Sequence, residues 1–186
     1  AAPFSVCLGG GFETIGCCRQ VVPLAELYCG AVEVGVGLIP GAGGNLRLLT
    51  HWSERLPARK HGPMAAVQKA FETAAFAKVS GSAHEAVELG YLRQGTPIVM
   101  SRDHQIARAK AEVLARLQEQ LGVAIEETVS MGDDLPDLAL ARRSALFACP
   151  ANARPEVRER ARLVTRAPGG AGAVRELAEA ILRARG

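Results

Sequence analysis

Apolar residues recur along this chain with two periods, and the period decides which element each stretch predicts. "APFSVCL" (2–8) is short and runs into three glycines, which reads as a strand entering a turn; "ETIGCC" (13–18) opens a short helix. In "MAAVQKAFETAAFA" (64–77) the helical spacing of Val67, Phe71 and Ala74 or Ala75 predicts one apolar face. Ser82 and Glu85 make an S-x-x-E capping box in front of "AHEAVELG", which Gly90 closes. "TPIVM" (96–100) reads as a short strand, and 103–121 as a long helix ending at Gly122. Beyond it come "ETVSM" (strand), "LPDLALARR" (helix), "ALFAC" (strand), "RPEVRERA" (helix), "LVTR" (strand) and "GAVRELAEAILRAR" (helix).

Alternating strands and helices predict an α/β fold with a parallel sheet. With 186 residues, 48% of them hydrophobic, the chain has enough apolar surface for one ordinary domain or two small ones. The longest apolar stretch, "CGAVEVGVGLIPGAG", is broken by Glu33 and Pro40 and falls short of the roughly 20 apolar residues of a membrane span. No secretory signal pattern opens the sequence, so the expected location is cytoplasmic. Five cysteines without a CxxC pair fit reduced, buried thiols. A net charge of +3 is too small to imply nucleic acid, and the four histidines lack metal-ligand spacing. Near residue 110 the basic residues change from a mixture of Arg and Lys to Arg almost throughout, which marks a change of character along the chain.

The first chemical constellation is "LGGGFE" with "GAVEVGVGLIPGAGG". A glycine triplet alone is an ordinary tight turn, and isolated glutamates are ordinary surface residues. Together they suggest more: free N–H groups at a helix start stabilise an oxyanion, and Glu13 and Glu33 held near one water would serve as general acid and base. "GVGLIPGAGG" offers neither G-x-G-x-x-G nor a Walker lysine, which argues against a nucleotide loop.

"LGGGFE", "AELYCGAVEVGVGLIPGAGG" and "AKVSGSAHEAVELGYLRQGTPIVMSRD" resemble the enoyl-CoA hydratase (crotonase) family, more narrowly the crotonase domain of bacterial fused 3-hydroxyacyl-CoA dehydrogenases. The resemblance covers residues 1–109 and implies a fragment of a spiral of ββα units, usually assembled as trimers. It places Glu13 and Glu33 on the pair that adds water across a 2-enoyl-CoA, Gly10 on an oxyanion-hole N–H, and the Gly41 backbone near the catalytic water. It implies an acyl-CoA thioester as substrate and no cofactor. The family's other oxyanion donor belongs to a segment that precedes "APFSV", and Cys18 and Arg19 stand where many relatives carry an acidic residue.

The second constellation is "MGDDLPD" (131–137), with Asp133, Asp134 and Asp137 after a predicted strand. Carboxylates there suit a hard cation such as Mg²⁺, or simply a helix N-terminus that favours aspartate. The stretch from "GDDLPD" to the end resembles the C-terminal part of haloacid-dehalogenase-type phosphatases, closest to the 3-deoxy-manno-octulosonate 8-phosphate phosphatases, a Rossmann-like fold. That resemblance covers 110–186 and implies Asp133 as an Mg²⁺ ligand, Asp134 and Asp137 as support for the metal site, Lys110 as a stabiliser of phosphoryl charge, and a phosphorylated sugar acid as substrate. Read on its own, Lys110 is equally a solvated helix lysine. The mechanism also needs a D-x-D pair, and the four aspartates of this chain contain none. "GGAGAVRE" replaces the relatives' frequent "GGRGAVRE", so Ala171 stands in place of a basic residue.

The expectation is therefore two α/β fragments, 1–109 crotonase-like and 110–186 phosphatase-like, meeting at a helix that either family would accept. Enoyl-CoA hydration is the leading activity, weak or absent in isolation. Mg²⁺-dependent phosphate ester hydrolysis, or a non-catalytic module completed by a partner, are the alternatives; a homo-oligomer (trimer or tetramer) is expected, with no nucleic-acid or membrane partner.

Overall fold

A computed structural model describes every residue except Arg185; that arginine, the end of the last predicted helix, lies outside the described residues. Contacts divide the chain into two compact units, Ala1–Gln105 and Ile106–Gly186.

Unit 1 begins with β1 (Ser5–Leu8), α1 (Gly10–Gly16) and β2 (Leu27–Gly30). The strands pair in parallel with Ser5 opposite Leu27 and Cys7 opposite Cys29. Because side chains alternate across a strand, Cys7 and Cys29 share the buried face, and Val6 and Tyr28 share the exposed one. A 3₁₀ turn (Glu33–Val36) follows, then α2 (Gly44–Arg55), α3 (Ala58–His61), α4 (Met64–Ala75) and α5 (Ala83–Glu88). The core is Phe12, Leu27, Leu48 and Tyr91, with Phe12 and Tyr91 meeting edge to face at 5.0 Å. Gln105, buried, ties the N-terminal segment down by donating to Pro3 O at 2.8 Å and Val22 O at 2.9 Å.

Three expectations change here. The glycine triplet is the start of α1 itself: Gly9 precedes the helix and Gly10 and Gly11 are its first residues. Residues 96–100 form no strand and contribute one parallel bridge, Leu24 with Val99. In α4 the largest apolar residues do not face the core. Val67 and Phe71 are exposed, whereas Ala66 and Ala74 are buried and Ala70 packs against the core. Small side chains at this spacing let α4 lie close to α2, so packing distance, and not residue hydrophobicity, selected the inner face.

Helix α6 (Arg102–Leu121) begins in unit 1, and the division falls within it. Unit 2 holds β3 (Val129–Met131), a 3₁₀ turn (Leu135–Asp137), α7 (Leu138–Ala141), β4 (Leu146–Cys149), α8 (Pro155–Arg160), β5 (Leu163–Val164) and α9 (Ala173–Ala184). Its strands form a parallel sheet ordered β3-β4-β5, over a core of Phe147, Cys149, Ala153 and Val157. Both units are thus α/β. Among the described residues no helix is long and apolar enough to cross a membrane.

Candidate functional site

Unit 1 builds a glycine-rich corner where β1 turns into α1. Gly9 takes φ 52° and ψ −120°, a conformation open to glycine and costly for other residues. Its N–H donates to Gly30 O at 2.8 Å, which holds the corner against the end of β2. The side chain of Glu33 lies against this corner: a Cβ on Gly9 would come within 3.2 Å of Glu33 Oε1. The other oxygen, Glu33 Oε2, is buried and has no hydrogen-bond partner among the described residues. Such a carboxylate oxygen is costly to maintain unless something else binds it.

Glu13 is buried in α1, one turn past Gly10. Its Oε1 accepts the N–H of Ala42 at 2.8 Å and of Gly44 at 2.9 Å. These N–H groups open α2, whose first residues lack partners within the helix, so Glu13 acts as a distant N-cap. Pro40, Gly41 and the next two glycines allow this approach; a Cβ on Gly44 would stand 3.1 Å from Glu13 Oε1. Gly41 itself is exposed in the turn just before these donors. Gly10 is also exposed, and space is open beside it, since a Cβ there would meet nothing within 4 Å. Sequence reasoning singled out Glu13, Glu33, Gly10 and Gly41 but missed Gly9, Ala42 and Gly44. The signal for the last two was a P-x-x-G-G run opening a helix that has no Ser, Thr, Asp or Asn cap of its own.

In unit 2 the three aspartates have different occupations. Asp137 is buried; its Oδ2 accepts the N–H of Asp133 at 3.0 Å and of Asp134 at 3.2 Å, and Lys110 Nζ pairs with its Oδ1. Burial pushes the Asp137 carboxyl up, but the Lys110 ammonium and the two N–H donors outweigh it and leave the group below the usual carboxylate range. Asp134 caps the 3₁₀ turn by accepting Leu135 N–H at 2.7 Å, and lies 3.7 Å from the Arg154 guanidinium. Asp133 is exposed and lines an open pocket of about 210 Å³ with Gly132, Pro150, Gly169, Gly170 and Ala173. Among the described residues no three metal-ligating side chains cluster. Asp133, Asp134 and Asp137 therefore differ in occupation: Asp137 and Asp134 hold backbone and cationic partners, and Asp133 alone faces the pocket. The Lys110 ammonium is held by Asp137.

Comparison with known proteins finds relatives of two kinds. Residues 105–177 match the model of the haloacid dehalogenase-like hydrolases. A probable 3-hydroxyacyl-CoA dehydrogenase of Bacillus subtilis 168 is 46% identical over 110 residues, 59% of this chain and 13% of that protein. The 3-deoxy-D-manno-octulosonate 8-phosphate phosphatase of Escherichia coli K12 is 41% identical over 70 residues, 38% of this chain and 37% of that protein. Among solved structures, enoyl-CoA hydratase subunit I of Geobacillus kaustophilus HTA426 is 29% identical with a TM-score of 0.46, covering 62% of this chain and 38% of that one. Each part of the chain resembles a different enzyme family. The crotonase-like part carries the Glu13 and Glu33 corner, and the phosphatase-like part carries Asp133 and the pocket. The chain spans only 13% and 37% of the lengths of these two curated relatives.

Proposed function

We propose that the crotonase-like part holds the carboxylate side of an enoyl-CoA hydratase-type site, acting on a 2-enoyl-CoA thioester. The observation that carries this reading is the buried, unpartnered Glu33 Oε2 beside a glycine corner. Glu33 exchanges the proton with the water that adds to the double bond. Glu13, its Oε1 fixed by Ala42 and Gly44, offers its remaining oxygen to the same water. The Gly10 N–H faces the thioester oxygen, and the open turn at Gly41 leaves room for the water. Holding Glu13 in place before substrate arrives is where such a site gains rate. Of an oxyanion-hole pair this corner offers the Gly10 donor, and each donor of such a pair is worth on the order of 10² to 10³ in rate.

Hydration of crotonyl-CoA, followed by loss of the conjugated enoyl thioester absorbance, tests the reading with Glu13→Gln and Glu33→Gln alongside. Turnover that falls at least tenfold in Glu33→Gln supports it. Turnover unchanged in both variants, or neither turnover nor any thermal shift with crotonyl-CoA, refutes it.

A second reading belongs to the phosphatase-like part. Its pocket at the ends of β3 and β4, lined by Asp133, would accept a phosphorylated sugar acid, the substrate class in its relatives' names. Phosphoryl transfer there needs a carboxylate nucleophile, and no D-x-D stands within these residues. Binding of such a substrate, read separately from its hydrolysis, tests this reading.

A further inference from the structure

We propose that Cys7 and Cys29 form an oxidisable dithiol, which a peroxide converts into a disulfide stapling β1 to β2. The two residues are register partners across a parallel pair, so their side chains leave the sheet on the same face. Neighbouring strands lie about 4.7–4.9 Å apart, inside the Cα separation of about 4.4–6.8 Å that a disulfide spans. Both thiols are free and buried, and the Cys7 sulfur packs under the glycine corner, 3.6 Å from where a Gly11 Cβ would stand.

Pairing of the two thiols holds the Cys7 thiol below the ordinary thiol range and, together with burial, pushes the Cys29 thiol above it. Cys7, the less buried of the two thiols, meets the peroxide first. The Cys7 sulfur attacks one oxygen of hydrogen peroxide; the O–O bond breaks, the second oxygen leaves as water with the thiol proton, and Cys7 becomes a sulfenic acid. The Cys29 sulfur then attacks the Cys7 sulfur, the S–O bond breaks, and the hydroxyl leaves with the Cys29 proton as a second water. Two thiols are oxidised to one disulfide and one peroxide is reduced to two waters. Closing the bond brings the Cβ atoms to about 3.8 Å, the ordinary separation for a disulfide at this strand spacing. None of this depends on the hydratase-type reading, because the sulfurs take no part in it.

The competing thiols are Cys17 and Cys18, both exposed at the end of α1, with Arg47 Nη2 at 3.4 Å from the Cys17 sulfur. The test is to expose the whole chain to hydrogen peroxide, unfold it, alkylate remaining thiols and map the peptides. Trypsin leaves Cys7, Cys17 and Cys18 in one peptide, so a glutamate-specific protease that cuts after Glu13 is used as well. The expected result is a Cys7 peptide joined to a Cys29 peptide, two of the five thiols lost to alkylation, and both recovered after mild reduction. The same linked peptide is expected in a Cys17→Ser, Cys18→Ser double variant, and Cys29→Ser is expected to accumulate a sulfenic acid at Cys7 that a nucleophilic dione traps. Oxidation confined to Cys17 and Cys18 while Cys7 and Cys29 alkylate in full overturns the proposal, and that peptide map of the unaltered chain decides even where a serine variant does not fold.

Discussion

Glu13 Oε1 accepts the N–H of Gly44 at 2.9 Å, and the two residues are 31 positions apart. A carboxylate on one helix thereby completes the start of another, and stability and site geometry share a single contact. Glu13→Gln keeps an acceptor oxygen and is expected to change stability by less than about 1 kcal/mol, whereas Glu13→Ala leaves two N–H groups without their partner and is expected to cost about 1–3 kcal/mol. Denaturant midpoints of the two variants check this. Equal destabilisation by both would show that the contact carries no such role.

Asp137 sits below its ordinary pKa in the folded chain, because Lys110 and the N–H groups of Asp133 and Asp134 outweigh the effect of burial. A folded value below the unfolded one gives stability that is present above the ordinary aspartate range near 3.9 and is lost as pH falls through the lowered folded value. Unit 2 is therefore expected to lose stability below about pH 4, and Asp137→Asn to flatten that acid limb while lowering stability at neutral pH. Thermal unfolding followed from pH 7 to pH 3 reads both effects; an acid limb identical in the variant would remove Asp137 from the account.

Gly90 has φ +85°, and a Cβ there would lie 2.5 Å from Trp52 Nε1. Gly90→Ala combines a left-handed backbone, costing about 1–2 kcal/mol, with displacement of the indole. Trp52 is the single tryptophan of the chain, so its fluorescence reports on this position alone. A loss of at least about 1 kcal/mol with a red-shifted emission is expected, and an unshifted spectrum at unchanged stability would contradict the packing described.

Much of the fold was legible because its elements announce themselves locally. β1, the three strands of unit 2, the long α6 and the Ser82 cap of α5 all follow from short-range pattern; Glu85 N–H does donate to Ser82 Oγ, at 3.1 Å. β2 was not legible, since four residues ending in Cys-Gly carry little signal until β1 lies beside them. The start of α2 was hidden for the same reason: its cap is a glutamate in another helix. Val67 and Phe71 misled, because hydrophobicity alone does not reveal that close helix approach favours alanine. For the candidate site, sequence gave the residue types at Glu13, Glu33, Asp133 and Asp137, but not their occupations. That Asp137 faces inward to Lys110 while Asp133 faces the pocket depends on a turn whose hydrogen bonds no pattern of residues spells out.

Gly132 shows how far such a turn constrains the chain. A Cβ at this position would fall 2.2 Å from the Asp137 Cβ, so any larger residue would evict the aspartate, strand the ammonium of Lys110 and release two peptide groups at once. The outline of this loop and its electrical balance are consequently inherited together: neither can drift by small steps while the other is kept.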